Sequence, residues 1–399
     1  MKKNAKFMNL TAIIFIFLIM FTMAIIDNLK GAFVPTYKNV FHVTDVNIGL
    51  MITSASIGYI ICTYIGGYLS GKIGQKKVII LGLLSMIFGL IVLSKAISFT
   101  MVIMGTILCS SGVSLISIGI NTIVPVLFIS FQAILMNLTH FCYGLGSATG
   151  QRFVGVMIFK GFNWRNIFLI IAALTAVVMI TFIFIKIPGV HKEEEVSKIG
   201  MKDILSNKLI CFFILALGFY MGAEWCTGNW FMNYTNKVFK LDQGTCSYYS
   251  AAFFTIFAVG RLLGGFIVEK FDYLKAVKFS LLGAIITYTI GISIGEKGVT
   301  LIAISGLFFA IVFPTTVVVI SNQFKKSTAY ITGIIITIAS LLSTLINFLM
   351  GYLNDIIGVQ NTYYIVPICL VVSLAFITII HYTIKPKSTQ ETSFDAEIA

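Results

Sequence analysis

Apolar runs of about twenty residues recur along this chain with short polar interruptions between them, and few architectures accept such a pattern. Lipid offers no partner to a backbone N–H or C=O, so a run this long reads as a membrane-spanning helix that pairs those groups within itself. Spans read at 10–33, 46–69, 78–95, 99–122, 127–158 and 164–187. After a polar stretch they resume at 209–235, 245–268, 275–294, 298–321, 328–352 and 361–384. The fifth is long enough to end in an interfacial turn near Lys160 to Asn163. Composition agrees, with 58% of residues hydrophobic and only 11% charged. A soluble chain of that make-up would expose large apolar patches. The expected fold is an all-α membrane protein of twelve transmembrane helices in two six-helix bundles. Residues 1–187 form the first bundle, 188–208 a cytoplasmic linker, and 209–399 the second.

The two halves repeat. Gly66 and Gly67 in IGGYLSGKIGQKK answer Gly264 and Gly265 in LGGFIVEKFDYLK at an offset of 198. Asp27 and Glu224 lie 197 apart, and each stands ten residues before a tyrosine, Tyr37 and Tyr234. Parallel repeats of this kind, related by a pseudo-twofold axis along the membrane normal with a site between them, belong to alternating-access carriers.

Lysine and arginine set the orientation, because cytoplasmic loops retain positive charge. With the N-terminus inside, 18 basic residues fall on the cytoplasmic side, among them Lys72, Lys76, Lys77, Lys275 and Lys278, against seven outside. Both termini are therefore expected in the cytoplasm of a multi-pass protein of the plasma membrane, the inner membrane of the cell. The formal charge of +13 is accounted for by helix-end residues meeting anionic headgroups of the bilayer, with no nucleic acid required. The first span follows Lys2, Lys3 and Lys6 but is too long for a cleaved signal and carries Asp27 and Lys30. Seven scattered cysteines suggest apolar filler, not disulfides or metal ligands. No metal motif, nucleophile elbow or phosphate loop occurs, so neither an enzyme, a cofactor nor a metal is expected.

Charges near the bilayer centre are costly and mark function or pairing. Asp27, Lys30 and Glu224 are such charges, and Asp27 with Lys30 could form a purely structural i, i+3 pair. Asn229 and Trp230 suit either a sugar, through amide hydrogen bonds and ring stacking, or anchoring at the outer interface. Asn137, His140 and Gly144 share one stripe of the fifth span, and Thr337, Ser340, Thr344 and Asn347 one stripe of the eleventh. Arg152 and Arg261 stand near span ends, where gate or headgroup contacts are expected.

Between the second and third spans run Gly67, Tyr68, Leu69, Ser70, Gly71, Lys72, Ile73, Gly74, Gln75 and Lys76. With Asn163-Trp164-Arg165, Gly260-Arg261 and Gly351-Tyr352-Leu353-Asn354-Asp355, this resembles the signatures of the major facilitator superfamily over nearly the whole chain. Gly71 stands where that family has an aspartate. The resemblance makes Gly67, Gly71, Lys72, Gly74, Lys76 and Arg261 gating residues. Asp27-Asn28, Gly31, Pro35, Asn121, Asn137, His140, Tyr143-Gly144 and Gly222-Ala223-Glu224 with Gly228-Asn229-Trp230 are similar to the fucose permease group of sugar–proton symporters. Two positions depart from that group, where Gly31 and Ser117 replace acids. What the likeness implies is substrate contact by Asn28, Lys30, Asn121, Asn137, His140, Glu224, Asn229 and Trp230, with proton coupling by Asp27 and Glu224. The expected activity is proton-coupled uptake of a sugar or similar small polar solute by a monomer, the alternative being proton-driven export of drugs or metabolites.

Overall fold

The computed structural model describes residues 2–127, 132–187, 206–268, 271–324 and 328–384. It is helical throughout: α1 (Lys2–Ala32), α2 (Val34–Phe41), α3 (Asp45–Ile73), α4 (Gln75–Ser94), α5 (Phe99–Leu127), α6 (Gln132–Phe159) and α7 (Trp164–Ile183) precede the linker. After it come α8 (Lys208–Phe239), α9 (Gln243–Val268), α10 (Tyr273–Ser293), α11 (Val299–Phe309), α12 (Val312–Gln323), α13 (Thr328–Ile357), α14 (Val359–Thr362) and α15 (Ile365–Thr383). Most of the linker, 188–205, lies outside the described residues.

Among the described residues eleven segments are long and apolar enough to cross a bilayer. The twelfth crossing is α6, whose 28 residues suffice in length but include Thr139, His140, Ser147, Gln151 and Arg152. The tenth crossing is broken into α11 and α12. Pro314 has no N–H to return to the turn before it, so the helix restarts at Val312. The turn expected after the fifth span is present, with Gly161 at φ +79.

Polar residues just before the apolar runs define several starts. Asn163 accepts from the Arg165 N–H and opens α7. Asn207 does the same for α8 and Asp272 for α10, each side chain meeting an N–H that the first turn leaves without a helical partner.

Before the linker, α4 packs against α5 and α7, α3 against α5, and α1 against α6. After it, α8 packs against α13 and α15, and α11 against α9 and α10. The halves meet where α6 lies along α9 and α3 along α13, two contacts that the pseudo-twofold exchanges, while α1 crosses α8 near the axis. At that crossing a Cβ on Gly31 would stand 2.7 Å from the Gly228 carbonyl, so glycine there permits backbone contact.

One face of the molecule carries the turns at 42–44, 160–163 and 240–242, and the other carries the linker; we term them the distal and linker faces. Cross-half bonds gather on the distal face. The Arg152 guanidinium donates to the Gly244 carbonyl at 2.7 Å, and the Gln243 amide to the Ala32 carbonyl at 3.0 Å. Toward the linker face α3 stands clear, for a Cβ on Gly67 would meet nothing within 4 Å and Tyr64 is 84% exposed.

Candidate functional site

Asp27 lies four residues before Gly31 on α1, and Glu224 four residues before Gly228 on α8. With a rise of about 1.5 Å per residue, both carboxylates sit roughly 6 Å to the linker side of the crossing. The crossing thus roofs the space they face. Asp27 is closely held there. Lys30 donates to its Oδ1 at 2.6 Å and the Tyr143 hydroxyl to its Oδ2 at 2.5 Å. Both are short, charge-assisted bonds, and the Asp27 and Lys30 side chains are about one fifth exposed.

Glu224 is held more loosely. Its Oε1 lies 3.8 Å from Nη2 of Arg261 on α9, a Coulombic contact too long for a hydrogen bond. The guanidinium is seated over the Phe257 ring at 4.2 Å, and its Nε has no partner among the described residues. Tyr220, one turn before Glu224, lies against it but donates its hydroxyl to the Phe309 carbonyl at 2.7 Å, at the end of α11. His140 of α6 faces Arg261, and the Tyr143 hydroxyl is within electrostatic reach of both Asp27 and Glu224. Three tyrosines therefore surround the acids, since Tyr59 of α3 also lies within electrostatic reach of Asp27. In the sequence Tyr143 enters only as part of the resemblance, with no role given to it, and Tyr59 and Tyr220 are not singled out, although Tyr220 is four residues from Glu224.

Other expected positions are placed differently. Arg261 is seven residues inside the end of α9 and pairs with Glu224, so its described contacts are with the acid and not with a gate at the helix end. Trp230 is fully enclosed, and its indole N–H has no partner among the described residues. Neither a stacking platform nor an interfacial anchor is what this arrangement makes of it, because both need an accessible ring. Asn229 donates to Oδ1 of Asn347 at 3.1 Å, joining α8 to α13. Ser340 and Thr344 return their hydroxyls to their own helix. Asn28 donates to the Ala24 carbonyl and to the Ser147 hydroxyl, both at 2.9 Å, which fixes α1 to α6. Ser117 faces Met23 of α1 at 3.9 Å. Asn121 and Asn137 belong to α5 and α6, with side chains outside the described ones.

The stretch expected to gate makes its described contacts within the N-terminal half. Lys72 lies 4.9 Å over the Tyr68 ring, Gly74 turns the chain at φ +84, and Lys76 donates to the Ile183 carbonyl at 2.6 Å. Gly67 faces open space, and Gly71 sits in the last turn of α3.

The Major Facilitator Superfamily profile matches residues 15–327. The chain is similar to the glucose/galactose transporter of Brucella abortus, at 24% identity over 88% of this chain and 90% of the relative. It is similar also to the L-fucose-proton symporter of Escherichia coli, at 20% over 89% and 90%. Its fold matches the crystal structure of a bacterial homologue of the human lysosomal transporter Spinster with a TM-score of 0.79, at 14% identity over 94% of this chain and 97% of that one. Two pseudo-symmetric bundles, acids at their crossing and a profile match over most of the length agree, and the chain belongs to the Major Facilitator Superfamily.

Proposed function

We propose that the protein is a proton-coupled carrier that takes up a sugar or similar small polar solute by alternating access. One observation carries this reading: two intramembrane carboxylates occupy equivalent places beside the crossing, one satisfied by two donors and the other with bonding capacity to spare. A membrane interior retains such charges where they move ions or bind solutes. The satisfied acid suits proton carriage. Protonating Asp27 removes the charge that holds Lys30, and the freed ammonium changes the balance between two packings of the halves. The looser pair suits binding. Glu224, Arg261 and His140 offer acceptors and donors of the kind sugar hydroxyls require, and Asn28 and Lys30 border the same space from α1.

The names of the Brucella and Escherichia relatives support a sugar, and that of the latter a proton. The basic residues on the linker side support a plasma-membrane protein with both termini in the cytoplasm. In that orientation the sealed distal face is outside, and this conformation is open inward.

Purified protein in liposomes with an imposed inward proton gradient tests the reading. Labelled glucose, galactose and fucose would be offered in turn, together with a uronic acid and a cationic dye. Accumulation of a sugar that a protonophore abolishes is the expected result. Accumulation unaffected by the protonophore, or of the dye alone and outward, would overturn it.

A further inference from the structure

A second group of polar contacts, at the distal face, plays no part in the site. α3 begins there, and the first N–H groups of any helix lack a partner within it. Thr44 caps one of them by accepting from the Asn47 N–H at 3.3 Å, and Asn47 accepts back from the Thr44 N–H at 3.2 Å. That reciprocal cap leaves the N–H groups of Asp45 and Val46 unmet. Both are met from the other half of the molecule. Asp355 accepts the Asp45 N–H on Oδ1 at 3.0 Å and the Val46 N–H on Oδ2 at 2.8 Å. One carboxylate thus closes two successive amides at the positive end of the α3 dipole.

Asp355 is badly placed for its own helix. It lies in the last turn of α13, where the dipole disfavours an acid. A residue that violates a local rule without local gain answers to a constraint elsewhere, and here the beneficiary is α3. The surroundings separate by half. Lys38 of α2 donates to Oδ1 of the buried Asp45 at 2.6 Å, a bond inside the N-terminal half that survives any separation. The Asn233 amide of α8 reaches the same oxygen at 3.4 Å, and this bond, like those of Asp355, spans the two halves. Opening the distal face must break the Asp355 and Asn233 bonds while leaving Lys38 on Asp45. Water can then take the two freed amides, so the arrangement is strong enough to hold and weak enough to release.

We propose that Asp355 is the catch of the distal gate, a positioning residue whose carboxylate holds α13 to the start of α3 in this state and releases it whenever the site opens to that face. The stretch Gly351 to Asp355, conspicuous in the sequence but unused by the binding site, acquires a role. The inference rests on alternating access but not on the identity of the solute or of the proton carrier.

The test uses the full chain with its seven cysteines replaced and spin labels at Phe162 and Ile357, which are 49% and 47% exposed on the distal side of the two halves. Pulsed electron paramagnetic resonance then reads the distance between them without any solute, so a failure of the sugar reading leaves this result interpretable. A short distance should dominate in the parent. Asp355→Asn should raise the long-distance population about threefold, and Asn233→Ala should move it the same way by less. Thr44→Ala removes the cap within one half and should lower the melting temperature without moving the distances. Unchanged distances in folded Asp355→Asn and Asn233→Ala would overturn the proposal. So would a shift in Thr44→Ala as large as that in Asp355→Asn, because general fraying of α3 would then explain both.

Discussion

Asp27 and Glu224 occupy matching positions in the two halves, each one helical turn before the glycine at which α1 and α8 cross, yet the two carboxylates have unlike surroundings. Asp27 receives two hydrogen bonds, one from its own helix and one from α6. Glu224 faces a guanidinium at 3.8 Å that is itself incompletely partnered. A pseudo-twofold repeat reproduces the position of a charge but not its partners, because Lys30 has Thr227 as its counterpart on α8. On the proposed reading, partner choice divides the work, giving one half an acid that is closely held until protonated and the other an acid open to a ligand. Asp27→Asn should abolish uphill, pH-driven uptake in vesicles while exchange of labelled for unlabelled solute continues, since exchange moves no net proton. Glu224→Gln should do the reverse, weakening binding by about 1–3 kcal/mol while uptake at saturating solute still follows the proton gradient. If Asp27→Asn still accumulates solute under an imposed pH difference, the division of labour assigned to the two acids is wrong.

The crossing itself is equally lopsided. A Cβ on Gly31 would press on backbone, 2.7 Å from the Gly228 carbonyl and 3.0 Å from the Asn229 Cα, neither of which can swing aside. A Cβ on Gly228 would meet only the tip of the Phe254 ring, at 3.2 Å, and a ring can turn. Gly31→Ala should cost about 1–3 kcal/mol of stability in this state, seen as a lower melting temperature of purified protein. Gly228→Ala should leave it nearly unchanged. Equal losses from the two substitutions would mean that α1 and α8 are farther apart here than the structure has them.

Much of the fold is legible in the sequence because its dominant signal, a long apolar run, is local. Leu10–Ala32 and Gln75–Ser94 fall within a few residues of where hydropathy alone places them. The break between α11 and α12 escapes that signal, since both pieces are apolar and only Pro314 marks the place. Within the site, the repeat exposed Asp27 and Glu224, and spacing alone suggested the Lys30 pair. What spacing cannot give is which side chain of a distant helix turns toward an acid. Arg261 reads as a gate residue from its nearness to a span end, yet the antiparallel packing of α9 brings it level with His140 and into reach of Glu224. Trp230 reads as a sugar platform or an interfacial anchor from its residue type, but its ring is fully enclosed. Burial depends on neighbours that hydropathy does not name.

The smallest contrast lies between the tyrosines beside the two acids. Tyr143 gives its hydroxyl to the Asp27 carboxylate, whereas Tyr220, fully buried, gives its own to the Phe309 carbonyl at the helix break. Removing either hydroxyl costs about 1 kcal/mol, but the cost should surface in different measurements. In Tyr143→Phe the partly exposed carboxylate keeps Lys30 and can recruit water, so the folded state loses little. The Asp27 charge is nevertheless held less firmly, and turnover under a proton gradient should fall severalfold with the melting temperature nearly unmoved. In Tyr220→Phe the carbonyl has no water to turn to, and a buried acceptor left unmet destabilises the fold directly. Its melting temperature should drop while the apparent affinity for solute stays near the parent value. The opposite pattern, a stable but slow Tyr220→Phe and an unstable Tyr143→Phe, would place the proton-handling carboxylate in the C-terminal half and make Asp27 the structural one of the two.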